Sequence, residues 1–191
     1  MLSVDPYATK VLQPDAHSWL VANLESVAAD AGISPDRIWT SMYDTDATPA
    51  EIEYLRAFRR QAAILGKYGL VFVGENPQRD IIAAMSYLAG ALLRNRTRAR
   101  VMPVADVLDY MASDGHPDHT CLLIPDFHEL IAGQQKATRH RISKLVSLLL
   151  KRQAAGLQTI LYVSDMNAMQ LEYGNLIGRH ITSHYHFVDV G

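Results

Sequence analysis

The stretch LVFVGENPQRDIIAAM, residues 70–85, decides the fold. An apolar run ends at Gly74, a short polar stretch follows it, and a second apolar run with helical spacing begins at Ile81. A strand, a loop and a helix in this order form a nucleotide-binding unit when loop glycines, a lysine and a hydroxyl side chain hold the phosphates. The outline of that unit is present here, whereas the second glycine and the lysine are absent.

The sequence that follows repeats the same alternation of short and long apolar segments. The short runs predict strands: LVFVG, RARVMPV, TCLLIPDF, QTILYVSD and HFVDVG. The longer runs between them predict helices: IIAAMSYLAGALLRN, ADVLDYMAS and RHRISKLVSLLLKRQAAG. Strands that alternate with helices are typical of a mainly parallel sheet with both faces covered. We therefore predict a three-layer α/β sandwich.

The sequence before residue 66 has a helical pattern without strands. HSWLVANLESVAADAG predicts a short helix that ends at Gly32. Thr48, followed by Pro49 and by Glu51 in the first turn, is a helix start signature, and it predicts a second helix over residues 49–65. The predicted organisation is a helical N-terminal extension, residues 1–65, and an α/β domain, residues 66–191.

Composition limits the class of protein but names no partner. The 191 residues are 49% hydrophobic and carry a net charge of −2, so one core is expected and no overall attraction to nucleic acid or membrane. The single cysteine, Cys121, leaves no internal disulfide and fits a reducing compartment. The start has no export signal and no apolar run has the length of a membrane span. A cytoplasmic protein without a membrane partner is expected.

Four further segments carry a family resemblance: VMPVADVLDYM, CLLIPDF, TILYVSD and IGRHITS. In this order, from about residue 68 to residue 191, the chain resembles the ATPase domain of bacterial helicase loaders and of transposase-helper ATP-binding proteins, a branch of the AAA superfamily. The resemblance implies a P-loop NTPase-like fold, AAA-like without the helical lid of other AAA proteins.

The resemblance places poorly matched residues at the phosphate loop. Counting from Gly74 without a gap puts Arg79, Asp80 and Ile81 at the second glycine, the lysine and the hydroxyl. Allowing one deletion puts Gln78, Arg79 and Asp80 there. Both alignments lose the second glycine and the lysine that bind phosphate.

The polar stretch of the loop has an ordinary explanation as a helix start. Asn76 suits an N-cap and Pro77 the first helical position, so we predict a helix that begins about two residues after the strand. The carboxylates of Glu75 and Asp80 would then lie near the positive helix end and repel a phosphate.

The other catalytic positions implied by the resemblance are altered too. An aspartate and a glutamate are expected after the third strand, but Asp126 is followed by Phe127. Asp165 stands where an asparagine is expected, and the arginine segment retains Arg179 beside two histidines, His180 and His184. We therefore expect an inactive ATPase-like domain that has lost ATP and magnesium binding.

Two basic segments are candidate contacts for nucleic acid or an acidic partner. The first holds Arg94, Arg96, Arg98 and Arg100, and the second Lys136, Arg139, His140, Arg141 and Lys144. A solvated rim is the alternative interpretation of both. No aromatic residues alternate with these charges, so base stacking is not expected.

The function expected from these features is binding. The chain is interpreted as an adaptor or scaffold in DNA replication or transposition, with a helicase, an active ATPase or an assembly component as protein partner. DNA and a second copy of the chain are further candidates. A nucleotide-dependent switch remains an alternative, in which Arg79 replaces the lysine and Asp80 or Asp126 holds magnesium. The other alternative is a structural component of a secretion or phage assembly.

Metal and hydrolase chemistry have weaker support. Three histidine groups were considered as ligands: His116 with His119, His128 with Glu129, and His184 with His186 along a predicted strand. None has a known ligand spacing, so no metal is expected. Cys121 lies in an apolar run and no G-x-S-x-G motif occurs, so a cysteine or serine nucleophile is not expected.

Overall fold

The computed structural model describes residues 14–113, 115–129 and 137–191. Their N-terminal part is helical: α1 Pro14–Ala22, α2 Leu24–Ala31, α3 Pro35–Trp39, α4 Pro49–Arg56 and α5 Gln61–Leu65, with 3-10 turns at Met42–Asp44 and Phe58–Arg60. The remainder alternates: β1 Gly69–Val73, α6 Ile81–Arg94, β2 Ala99–Val101, α7 Val104–Ala112, β3 Cys121–His128, α8 Arg139–Ala154, β4 Gln158–Val163, α9 Met166–Tyr173, α10 Asn175–His184 and β5 Tyr185–Asp189.

The five strands form one parallel sheet in the order β2-β3-β4-β1-β5. The central strand β1 pairs with β4 on one side and with β5 on the other, for example Leu70 with Ile160 and with His186. Because apolar strands of a parallel sheet are buried on both faces, they read as continuous apolar runs. The prediction of a parallel α/β sandwich is confirmed.

Helices cover both faces of the sheet. On one face α6 and the N-terminal segment bury Leu70, Phe72 and Leu123. On the other face α7 to α10 bury Val71 and Leu161, the side chains that point the opposite way along the same strands. The described part of the N-terminal segment therefore shares a core with the sheet.

The predicted N-terminal helices are divided in the structure. The first is interrupted at Asn23, whose Nδ2 and backbone N–H both donate to the carbonyl of Trp19. The second, predicted over residues 49–65, stops at Arg56, and Phe58 turns inward to pack edge-on against Tyr54 at 5.8 Å. The predicted end signal at Gly32, which has a φ of 67°, is confirmed.

Three helices were not predicted: α3, α9 and α10. Helices α9 and α10 are short and polar, and Gly174 separates them. The expectation that His184 and His186 lie along one strand is wrong, because His184 is the last residue of α10. No helix in the described ranges is both long and apolar enough to cross a membrane.

Candidate functional site

The carboxyl ends of β1, β4 and β3 lie side by side and bring the predicted site positions together. Val73 pairs with Val163, which pairs with His128 on the next strand. The loop after β1, Asp165 after β4 and Asp126 near the end of β3 therefore occupy one edge of the sheet. In open α/β sheets this edge is where ligands bind.

The loop after β1 differs from the prediction. Helix α6 begins at Ile81, and Asp80 is its N-cap, with Oδ1 accepting from Ala83 N–H at 2.9 Å. Asn76 as N-cap and a helix that begins at Pro77 were wrong predictions. Asn76 instead starts a turn, accepting from Gln78 N–H at its side chain and from Arg79 N–H at its carbonyl, both at 3.0 Å. Proline suits the second position of such a turn.

The backbone of this loop offers few free donors. A phosphate loop holds its ligand with main-chain N–H groups. Here Gly74 N–H donates to the carbonyl of Val163, and the N–H groups of Gln78 and Arg79 are bonded inside the turn. Pro77 has no N–H. The exposed Glu75 adds a negative charge to the same loop.

Gly74 is needed for a close approach of the backbone. Its φ is 113°, in the region that favours glycine, and a Cβ there would lie 2.8 Å from the backbone nitrogen of Gly191. Val190 N–H donates to the carbonyl of Val73, which holds the last described residues beside the loop. Packing of the chain against itself thus explains this glycine.

Arg79 is held by the N-terminal segment. Its side chain is only 7% exposed, and Nη2 lies 2.6 Å from Oε1 of Glu51, which is fully buried. Nε lies 3.6 Å from an oxygen of Asp46, and the guanidinium stands 5.4 Å from the centre of the Phe72 ring. Glu51 also accepts from the backbone N–H and the hydroxyl of Thr48. One buried carboxylate therefore both caps α4 and neutralises Arg79.

Asp126 and Asp165 also bond to helix ends. Asp126 Oδ1 accepts from Val104 N–H, in the first turn of α7, at 2.7 Å. Asp165 is the N-cap of α9 and accepts from Asn167 and Ala168 N–H at 2.7 and 2.9 Å. Burial raises the pKa of the Asp126 carboxyl. With Asp80, three carboxylates at the predicted site positions stabilise helix starts.

Comparisons with known proteins agree with this architecture. No protein-family model matches the sequence, and no curated protein matches it. A solved DNA replication initiation factor is 8% identical, with a TM-score of 0.56 over 76% of this chain and 48% of its own. DnaA from Aquifex aeolicus with AMPPCP bound is 10% identical, with a TM-score of 0.54 over 78% and 49%.

The chain has a P-loop NTPase-like fold. It spans about half the length of these two structures. A structure of DnaI is 15% identical over 83% of this chain and 95% of its own, with a TM-score of 0.48. At such identities the likeness describes the fold.

Within this fold, the arginine segment lies on α10. Arg179 is exposed, His180 is buried, and burial lowers the pKa of the His180 imidazole, which favours its neutral form. The rings of His180 and His184 lie 5.2 Å apart. Phe127 follows Asp126 on the strand, so the next position carries a fully buried aromatic ring in place of a carboxylate.

The two basic segments have different surroundings. In the first, Arg94 donates to the carbonyl of Thr40 at 2.8 Å, Arg98 pairs with the exposed Asp118 at 3.3 Å, Arg96 is exposed, and Arg100 is half-buried. In the second, Arg139 is exposed in the first turn of α8, while Arg141 and Lys144 are half-buried. Lys136 lies outside the described residues.

The candidate metal ligands are dispersed. His128 Nε2 lies 3.2 Å from Glu172, His119 Nε2 lies 3.2 Å from Asp30, and His116 contacts Lys151. The described residues contain no group of three or more His, Cys, Asp or Glu side chains that could hold a metal ion. Cys121 is buried, and burial raises the pKa of its thiol to about 12.

Sequence analysis missed the contacts made by the N-terminal segment. The capping signature identified Glu51 but carried no sign of its ion pair with Arg79, 28 positions later. Three arginines near the end of the segment, Arg56, Arg59 and Arg60, were also not singled out. They line a cleft with Arg94.

Proposed function

We propose that the chain is an ATPase-like adaptor or scaffold of DNA replication that binds a protein partner and does not hydrolyse ATP. The buried ion pair between Arg79 and Glu51 carries this proposal. Arg79 is the cationic side chain of the loop that would have to replace the phosphate-binding lysine. To contact a phosphate it would have to leave Glu51 as an unpaired buried carboxylate, which costs about 3–5 kcal/mol.

The residues around the loop do not fit a bound triphosphate with magnesium. The loop presents Glu75 and Asp80 where an anion would lie, and its turn uses two of the N–H donors. The carboxylates of Asp126 and Asp165 accept hydrogen bonds from helix starts. We infer that no residue of this set retains the metal-binding or water-activating role of an ATPase.

The replication context rests on two likenesses. The sequence segments resemble helicase loaders, and the fold resembles a replication initiation factor and DnaA. A helicase or an active ATPase is accordingly the first class of protein partner to test. DNA remains a second candidate partner, and a nucleotide-dependent switch through Arg79 is the competing function.

Phosphate release from ATP tests the proposal. The purified chain is assayed with magnesium, with and without single-stranded DNA, beside an Asp126→Asn variant. We expect release no faster than in buffer from either protein. Magnesium-dependent release that Asp126→Asn abolishes would show an ATPase. Oligomerisation that requires ATP and is lost in Arg79→Ala would support the switch instead.

A further inference from the structure

A cleft of about 700 Å³ separates the N-terminal segment from the last turn of α6. Its rim carries Arg56, Arg59, Arg60 and Arg94. We call this feature the arginine cleft. It lies at the carboxyl end of α6, whereas the phosphate-type loop precedes the amino end of that helix. The two sites are therefore separated by the length of α6.

The positive charge of the arginine cleft is not compensated within the described residues. No aspartate or glutamate lines it. Arg37, Arg79 and Arg98, elsewhere in the chain, each have a carboxylate within 4.0 Å. None of the four rim arginines has such a described partner. Like charges held together without counter-charges favour an anionic ligand.

The rim arginines keep most of their donors free. Arg56 donates to the Tyr43 hydroxyl at 2.6 Å, and Arg59 donates to the carbonyl of Asn95 at 3.2 Å. Arg94 donates to the carbonyl of Thr40 at 2.8 Å. A guanidinium has five N–H donors, so each of these single bonds leaves donors for a carboxylate.

The floor of the arginine cleft is apolar. Met42, Phe58 and Leu92 line it beneath the arginines, and Tyr43 stands at its edge with 68% of its surface exposed. Arginine, tyrosine and methionine around an apolar floor form the composition that is enriched in protein interfaces. A floor of this kind gives no hydrogen bonds to a phosphate group but accepts a large apolar side chain.

We propose that the arginine cleft binds an acidic peptide segment of a protein partner, with one large apolar side chain on the floor and carboxylates on the arginines. The volume lies within the range of about 300–1,000 Å³ that is typical of ligand sites. From the proposed function this inference takes only that the chain has a protein partner. A chain that hydrolysed ATP could carry the same cleft.

A neighbouring cavity of about 620 Å³ offers room for the continuation of such a peptide. It shares Arg94 and Thr97 with the arginine cleft and is lined by the exposed Trp19. Asp30 also lines this second cavity. Arg96 and Arg98 line it too, so positive charge continues from the arginine cleft into this cavity, and the carboxylates of the peptide would lie along both.

Selection from a peptide library tests the proposal. Random decapeptides displayed on phage are selected on the full chain, and the enriched peptides are synthesised and titrated by fluorescence anisotropy. We expect enrichment of aspartate or glutamate beside leucine, phenylalanine or a similar side chain. No enrichment, or enriched peptides without acidic residues, would overturn the proposal.

Paired variants locate the binding. Arg59→Gln with Arg60→Gln removes two exposed arginines, and we expect affinity for the enriched peptide to fall at least tenfold. Lys151→Gln with Arg179→Gln removes the same charge from exposed positions of α8 and α10, and affinity should stay within about twofold. Equal losses of peptide affinity in both variants would show that only the net charge of the chain matters. That result would overturn the proposal.

Two other probes distinguish the chemical class of the ligand. A labelled dT20 oligonucleotide and inorganic tripolyphosphate are titrated into the parent and into the Arg59→Gln/Arg60→Gln variant. We expect neither to compete with the enriched peptide. Competition by either probe, lost in the variant, would make the cleft a nucleic-acid or polyphosphate site. Phosphate release from ATP does not bear on these outcomes, so the two proposals can fail separately.

Discussion

The proposed loss of nucleotide binding depends on the contacts of Arg79. Its guanidinium is buried between Glu51, Asp46 and the ring of Phe72, and Glu51 is itself fully buried. A buried carboxylate that loses its cation is strongly destabilised, whereas an exposed ion pair contributes little. Arg98 and Asp118, which are both exposed, form an ion pair of the second kind for comparison.

Replacing Arg79 should therefore lower stability sharply. We expect Arg79→Ala to reduce the free energy of unfolding by about 3–5 kcal/mol and Arg98→Ala by about 0–1 kcal/mol. Urea denaturation of both variants measures the difference. Similar small losses would mean that Arg79 is not held by Glu51 in solution and is available to another ligand.

The free energy of unfolding should depend on pH through Asp126, and the burial of its carboxyl sets the sign of that dependence. Burial raises the pKa of its carboxyl, so the folded state binds the proton more tightly than the unfolded chain does. The contribution of Asp126 to the free energy of unfolding is fully present below the pKa of its carboxyl in the unfolded chain, about 4. It is lost as the pH rises through the raised folded pKa.

Asp126→Asn should remove this loss and keep an acceptor for Val104 N–H. We expect the variant to be more stable than the parent at pH 7 and equally stable near pH 3. Thermal or urea unfolding at several pH values gives the comparison. A stability difference that grows on acidification would contradict the assigned burial of the carboxyl.

Residue choices in the loop show what sequence alone could predict. The strand, the loop and the apolar start of α6 were predictable because their patterns are local. The N-cap was not, because Asn76 and Asp80 are both good capping residues. The turn from Asn76 to Arg79 decides between them, and it depends on hydrogen bonds that a pattern of residue types does not display.

The start of α6 provides the first test among the elements. Asp80→Ala removes the N-cap acceptor of Ala83 N–H, so we expect it to cost about 0.5–2 kcal/mol of stability. Asn76→Ala removes only an exposed turn contact, and we expect a smaller cost. Denaturation of the two variants separates the positions. A larger loss for Asn76→Ala would place the helix start at Pro77 after all.

The packing of α3 on α6 depends on a glycine. A Cβ at Gly90 would collide with the backbone carbonyl of Arg37, in α3. Gly178, in α10, is a matched control, because a Cβ there would meet only the side chain of Gln170, which can move. Both glycines lie inside helices, where alanine is otherwise favoured by roughly 0.5–1 kcal/mol.

Alanine should therefore destabilise the protein at position 90 but not at position 178. We expect Gly90→Ala to lower the melting temperature and to expose Trp39, the buried last residue of α3, with a red shift of tryptophan fluorescence. Gly178→Ala should leave both unchanged or raise the melting temperature. A harmless Gly90→Ala would contradict the close contact between α3 and α6.

The elements that were predicted and those that were missed differ in burial. The inner strands β1, β3 and β4 are buried on both faces, so their apolar runs stand out in the sequence. Helices α9 and α10 expose large apolar residues such as Leu171 and Leu176 and contain many polar ones, so neither has a long apolar run in the sequence. The break at Phe58 depends on packing against Tyr54 within the fold.

Across the whole molecule, the N-terminal segment contributes to both sites. It supplies Glu51 to the loop after β1 and three of the four rim arginines to the arginine cleft. Both features join residues far apart in sequence, which is why neither was predicted. The segment whose Glu51 pairs with Arg79 of the loop therefore also forms much of the arginine cleft, where we propose that a partner binds.

Calorimetric titration of ATP with magnesium into the purified chain measures whether the loop binds nucleotide. We expect no heat of binding at concentrations where micromolar sites saturate, in the parent and in the Arg59→Gln/Arg60→Gln variant. Binding near 1 μM, about 8 kcal/mol, that persists in this cleft variant would contradict this expectation. Such a result would show that the loop holds nucleotide despite the ion pair between Arg79 and Glu51.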